Sequence, residues 1–532
     1  MKLSAIVIVG IGLFVVPHNL IAAGKCGALQ HRVWQLQDYN MEHIKRVIEL
    51  AAKSNINRIQ LSHHIVMDSE QILESPQLAA DINKICTWAH EKGIKVDVWT
   101  HELNGVPADL RKDGKANLDD PKLWEWLKEK YVKVFKLCPD MDGLVLTLQE
   151  TDMSIYHENK VLSSIPPEQR VARLVDELAS VCKSQNKELF VRTFSYEPQE
   201  LKYISDGLKT SKSDIIVMLK CQPMDWQPFY PDNPAIGNVG NHPQIVEFDL
   251  GHEFTGRSRT PYIDLDYLER RLNYALDKNI AGAVLRIERH QFHSLDTPNW
   301  GSVVVFSAKL NNPCLDQKKS FREWIENRYG KEAAPYLEKA FSRTFDTVNK
   351  TYFVLGEWIT NHSMLPDYAY ATRSLMNRSI SKWDPSGKSA QQELLSPNEA
   401  VIMKIDAEKS DAINLALASI RDISAAKKYL KDEDYKELAS LFERQFAAAL
   451  VWKAHFDLYF NIRRYEKDPK EEMAKQIEGI ISSLQGLKTQ YHKQLVELAS
   501  EYKNPANQAN IRAIDSMIAK ARETIALGKP KE

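Results

Sequence analysis

Between residues 30 and 313, short apolar runs alternate with longer segments whose apolar positions recur every three or four residues. The short runs, at 32–37, 58–63, 95–100, 143–149, 189–195, 215–220, 244–250 and 282–288, are rich in Val, Ile, Leu and Phe and predict strands. The longer ones, such as 41–53, 78–92, 121–137, 167–184, 199–209 and 264–277, predict amphipathic helices. A strand followed by a helix, repeated eight times over roughly 280 residues, predicts a (β/α)8 TIM barrel of class α/β. No glycine-rich phosphate loop follows any of the strands, which removes the usual reason to choose an open nucleotide-binding sheet.

The strands carry a second pattern. A fully buried parallel strand is apolar on both faces, yet here one parity turns polar toward the C-terminal end. Gln60-Ser62-His64, Asp97-Trp99-His101, Arg192, Lys220, Glu247-Asp249 and Arg286-Glu288-His290 follow this rule, interleaved with Val96, Val98, Val191 and Phe248. Period-two alternation aims these groups at the barrel axis. Barrel active sites occupy the C-terminal mouth, so polar strand ends beside Trp99, Phe194 and Trp226 predict a cleft for a polyhydroxylated ligand.

Beyond Pro313 the strand pattern stops and long amphipathic helices follow, at 316–329, 333–360, 411–430, 435–464, 471–502 and 507–527, with a polar connection near 379–396. The predicted organisation is a signal peptide at 1–23, a catalytic barrel at 24–315 and an all-α C-terminal domain at 316–532. Trp452, Phe456 and Tyr459 lie mid-helix and are read as core or a subunit contact, which allows a homodimer through the C-terminal helices.

The start of the chain has a positive Lys2, an apolar run at 5–16 and small residues to Ala23. That pattern is a cleavable export signal, too short for a membrane span, and predicts a periplasmic or secreted protein. Seventy basic residues against 71 acidic ones leave a net charge of −1, which argues against a nucleic-acid or anionic-membrane partner. The six cysteines lie far apart without zinc spacing, and Cys86 and Cys182 fall in apolar helix patterns. A disulfide is compatible with export but not required at this size. His63-His64 lacks a local carboxylate partner and reads as a substrate contact or a structural pair. Neither a metal nor a cofactor is expected.

Five carboxylates at the strand ends bear on chemistry. Glu150 follows strand four, where a half-buried glutamate can serve as a general acid. Asp225, Glu247, Asp249 and Glu253 come from strands six and seven across the mouth. Carboxylates on opposite sides of the axis are what glycosidic hydrolysis needs. Spacing alone does not choose among these four, because any of them could instead neutralise Arg192, Lys220 or Arg286.

Three separated motifs resemble glycoside hydrolase family 67, the α-glucuronidases. Lys220-Cys221-Gln222-Pro223-Met224-Asp225-Trp226-Gln227 is similar to that family's strand-six motif. Glu247-Phe248-Asp249-Leu250-Gly251-His252-Glu253-Phe254-Thr255-Gly256 resembles its strand-seven motif, with matching spacing from Asp225 to Glu253. Thr297-Pro298-Asn299-Trp300, leading to Phe306 and Asn312-Pro313, resembles its barrel-closing helix. The resemblance implies Glu150 as general acid, with Asp225 and Glu253 sharing the activation of water. It also implies that Arg192 and Lys220 hold a uronate carboxylate, to which a guanidinium fork and an ammonium are suited. Trp99, His101, Trp226 and Arg286 complete the expected substrate site, with Glu247 as an inward structural acid.

The chain departs from the family in three ways. Leu146 stands where the family has a further carboxylate-binding lysine, no counterpart of its N-terminal domain precedes strand one, and an export signal is present where many members are intracellular. The expectation is an inverting exo-glycosidase acting on oligosaccharides and removing a terminal α-linked uronic acid. A hydrolase for a neutral or N-acetylated sugar, and a non-catalytic carbohydrate-binding barrel, are the alternatives. An intact Glu150, Asp225 and Glu253 weighs against pure binding.

Overall fold

The computed structural model describes residues 26–384, 386–500 and 507–528; the segment read as a signal peptide lies outside them. Eight parallel strands close a barrel: β1 (His31–Leu36), β2 (Arg58–Leu61), β3 (Lys95–His101), β4 (Gly143–Thr147), β5 (Glu188–Arg192), β6 (Ile216–Lys220), β7 (Gln244–Asp249) and β8 (Gly282–Arg286). Closure is made by β1 against β8, with His31 opposite Gly282. The outward parity, including Leu61, Val98, Leu144, Leu146, Val191 and Leu285, packs on the surrounding helices. Several of those helices begin with proline, at Pro76, Pro121, Pro167 and Pro198. Proline suits this position because the first-turn N–H has no helical acceptor and the ring presets φ.

Inside the barrel the inward parity forms three levels. At the N-terminal floor Arg58 pairs with Asp97 and Glu188, and Lys95 joins Glu188 at 2.9 Å. This corrects the expectation for Asp97: its parity is inward, but it sits at the floor and neutralises Arg58, remote from the mouth. Gly143 is required beside it, because a Cβ there would lie 2.7 Å from the Glu188 carbonyl oxygen and 2.8 Å from Asp97 Oδ1. The middle level is apolar, built from Val33, Trp99, Val145, Phe190, Ile216, Met218, Ile245 and Val284. Above it lie Gln35, Arg192, Lys220, Glu247 and Arg286, all buried. The apolar level plugs the axis, so anything bound at the mouth enters a blind site.

Helices follow the barrel, but the expected helix at 333–360 does not run through. It divides into Ala334–Ser342 and Thr344–Tyr352, then becomes a hairpin pairing Phe353–Val354 with Glu357–Trp358. The two turn residues, Leu355 and Gly356, have φ of 49° and 82°. A two-residue hairpin turn with both φ positive matches strand twist and leaves the helical region altogether. The hairpin sends the chain back over the barrel mouth. Ser363 Oγ then donates to the Glu253 carbonyl at 3.0 Å and accepts from Gly256 N at 2.9 Å.

The longest helix, Asp432–Lys467, buries Trp452, Phe456 and Tyr459 completely within the chain's own core. The helices are joined to the loop after β7 by Arg444 Nη1 to the Arg259 carbonyl at 2.7 Å and Gln445 Nε2 to the Pro261 carbonyl at 2.9 Å. Among the described residues, no helix is long and apolar enough to cross a membrane.

Cys26 and Cys314 form a disulfide across 288 residues, with their Cα atoms 5.1 Å apart. It ties the lead-in to β1 to the segment after helix Trp300–Asn311, where the Leu29 N–H also donates to Leu310 O at 2.9 Å. Cys86, Cys138, Cys182 and Cys221 are buried thiols. Replacing Cys314 by serine is expected to lower stability by about 2–5 kcal/mol, because the cross-link restricts a long loop in the unfolded chain. Denaturant midpoints of wild type and variant test this, and equal midpoints would show that the cross-link contributes nothing.

Candidate active site

The C-terminal mouth opens into a cavity of about 470 Å³. Of the residues singled out from sequence, Trp99, Glu150, Arg192, Lys220, Asp225, Trp226, Glu253 and Arg286 line it. His101 and Glu247 do not. His101 is fully buried, with Nδ1 2.9 Å from the Met67 carbonyl and 3.0 Å from Asp68. It therefore supports the loop after β2 and does not face the cavity. Glu247 lies below the cavity with no exposure and takes the Arg192 Nε–H at 2.8 Å.

Glu150 stands three residues past the end of β4 in the left-handed region, at φ 62°. That conformation is uncommon for glutamate and turns the chain sharply out of the barrel. Its carboxylate is exposed to the cavity, which corrects the half-buried environment expected for it. Tyr196 Oη donates to Glu150 Oε1 at 2.9 Å. Burial, together with the charges of Glu150 and Asp225, pushes the Tyr196 phenol up, so it remains a donor. Tyr196 continues the inward parity of Arg192 and Phe194, a signal by which the sequence could have revealed it.

Asp225 follows β6 by five residues and meets Lys220 Nζ at 2.9 Å. The ammonium is buried between Phe194 and Trp226, 4.1 and 4.2 Å from the two ring centroids. Burial lowers its pKa and the neighbouring Arg192 adds to this, while Asp225 opposes both. The aromatic faces and the carboxylate together hold the cation in place.

Glu253 is the most constrained acid. Its N–H donates to Asp249 Oδ2 at 2.8 Å, and its carboxylate takes Arg286 Nη1 at 2.7 Å and Arg289 Nη2 at 2.9 Å. Burial would raise its pKa, but Arg289, Arg286 and His362 outweigh burial and hold it well below the usual carboxylate range. A carboxylate so stabilised in its charged form is a weak proton acceptor. Asp249 behaves in the opposite way: burial, reinforced by Glu253, pushes it up to about 6 despite Arg286.

Arg289, His362 and Arg378 line the cavity and were not among the sequence candidates, whereas His63-His64 was read as a substrate contact or a structural pair and His290 as an inward strand-end group. Arg289 follows β8 with the wrong parity, which hid it. His64 and His290 stack at 3.9 Å with 11° between their planes, and His63 lies 5.4 Å from Trp99. Burial drives His63 and His290 to low pKa, with Arg289 contributing, so both are neutral imidazoles able to donate and accept toward hydroxyl groups. His362 and Arg378 come from the helical region, delivered by the hairpin, and nothing in the sequence pattern pointed to them.

The site thus presents an exposed acid under a phenol, a partly exposed aspartate beside an ammonium, two indole walls and neutral imidazoles. This set can orient a sugar ring, protonate a leaving oxygen and position water. Residues 23–284 match the model of the glycosyl hydrolase family 67 middle domain. Comparison with curated proteins gives no match. Among solved structures, the chain is similar to a GH138 enzyme targeting pectin rhamnogalacturonan II, at TM-score 0.62 and 10% identity, covering 93% of this chain and 67% of that one. It is also similar to a mutant O-GlcNAc hydrolase of Thermobaculum terrenum, at TM-score 0.48 and 10% identity, covering 94% of each chain. The barrel, its mouth and the family model agree: the barrel of this chain is of the glycosyl hydrolase family 67 middle-domain type, which supports glycoside hydrolase activity on carbohydrates.

Proposed function

We propose that the protein is an exported, inverting exo-glycosidase that removes a terminal α-linked uronic acid from plant oligosaccharides. The observation that carries this reading is the shared cavity: Glu150 faces it from β4, Asp225 and Glu253 from β6 and β7, and five cations line the same walls. Glu150 protonates the glycosidic oxygen, with Tyr196 fixing its orientation. Asp225 takes the proton of the attacking water. Glu253, neutralised by Arg286 and Arg289, orients that water and the ring. Trp99 and Trp226 bound the sugar, and the plugged axis beneath them favours the end of a chain over its interior. The pectin-directed GH138 enzyme of similar fold supports a plant substrate. The Cys26–Cys314 disulfide supports an oxidising compartment.

A second reading is a hydrolase for a neutral or N-acetylated sugar. It is favoured by the pairing of Arg192 with Glu247 and of Lys220 with Asp225, which leaves both cations already neutralised. Leu146 bears on neither reading, because it faces the helical layer and not the cavity.

Proton NMR of the first-formed sugar tests the mechanism. Water activated opposite the acid, across carboxyl groups ~6.5–9.5 Å apart, releases the inverted anomer. A retained anomer would require a carboxylate nucleophile and would remove water activation from the scheme.

A further inference from the structure

The cations around the cavity are not equivalent. Arg192 is paired with Glu247, Lys220 with Asp225, and Arg286 and Arg289 both with Glu253. Arg378 also lines the cavity, and among the described residues no carboxylate lies within ion-pair distance of its guanidinium. It is nevertheless held firmly. Its Nη1 donates to Tyr370 Oη at 2.8 Å and its guanidinium carbon lies 4.5 Å from the centroid of Trp358. Its carbonyl accepts from Tyr230 Oη at 2.7 Å, and two residues on Ile380 N donates to Glu357 at 3.2 Å. An aromatic face and one phenol use part of the fork, and neither supplies negative charge.

We infer that Arg378, contributed by the helical region, is the residue that binds the substrate's carboxylate. The inference rests on the uronate reading above and deepens it by moving the anion's partner from Arg192 to Arg378. An anion arriving at Arg192 or Lys220 meets a pair that is already neutral and the repulsion of Glu247 or Asp225. At Arg378 it meets an uncompensated positive charge with free, planar donors, the geometry suited to a carboxylate. Stacking on Trp358 keeps the guanidinium ordered in the empty site, so little side-chain freedom is lost on binding. The helical region thereby becomes a specificity element, and the hairpin at Leu355-Gly356 is what brings it within reach.

The test uses matched substrates that differ only in carboxylate or hydroxymethyl at C5, with the full-length protein and its R378M, R378K and R192M variants. R378M is expected to lower kcat/KM on the uronate about tenfold to a hundredfold and to change the neutral substrate by less than about threefold. R378K, which keeps the charge but not the fork, should recover part of the loss. Calorimetric titration with free glucuronate and with glucose should show the same loss of preference in R378M, and unchanged thermal midpoints would separate binding from folding. If wild type prefers the uronate and R192M, not R378M, erases that preference, the inference fails while the uronate reading stands. Equal losses on both substrates in R378M would make Arg378 a structural residue and likewise overturn the inference. A wild-type preference for the neutral sugar overturns both.

Discussion

Glu150→Gln is expected to lower kcat/KM by about 10²–10⁴-fold on oligosaccharides, whose alkoxide leaving groups need protonation. The same variant should lose less than about tenfold on aryl glycosides, whose phenolate departs unaided. The contrast follows from the site. Glutamine keeps the carbonyl oxygen that accepts the Tyr196 hydroxyl, now 2.9 Å from Glu150, so the loop stays in place and only the proton is lost. Paired rates on both substrate types decide the matter: equal losses would assign Glu150 a structural role.

The second large effect separates Asp225 from Glu253. Asp225→Asn should slow both leaving-group types by about 10²–10⁴-fold, since water must be activated in either case. Its effect on stability should be smaller, because Asp225 retains some exposure and the asparagine carbonyl oxygen can still accept from Lys220 Nζ. Glu253→Gln should instead destabilise the protein by about 3–5 kcal/mol, because it leaves Arg286 and Arg289 buried with little compensation.

The pH dependence has a definite sign. A carboxylate whose folded pKa is depressed contributes stability that is fully present above its unfolded value, ~4.3, and is lost as pH falls toward the folded value. Burial alone would give the opposite direction, but the two guanidiniums dominate at Glu253. The stability gap between wild type and Glu253→Gln should therefore be widest at neutral pH and should narrow below about pH 4. Urea denaturation at several pH values measures it. A gap that widens on acidification would mean that Glu253 is protonated in the native state.

The hydrophobic pattern determined the barrel because each strand and helix writes its own period into the chain, and proline at helix starts reinforces the register. Strand parity likewise determined which side chains turn inward. Parity does not report depth, however. Asp97, Trp99 and His101 share one face of β3, yet they serve the floor, the cavity wall and a supporting loop contact respectively. Glu247 and Glu253 belong to one motif, but only Glu253 reaches the cavity, because depth depends on where the strand stands against its neighbours.

Tertiary structure alone decided the rest. The pairing of Cys26 with Cys314 depends on barrel closure, which no spacing among six cysteines reveals. His362 and Arg378 enter the site only because two residues with positive φ end a helical pattern and return the chain to the mouth. Which arginines are neutralised depends on which carboxylates happen to lie opposite them in space. Local periodicity is written into consecutive residues, whereas charge balance in a cavity is a sum over groups hundreds of residues apart, and only the folded chain carries out that sum.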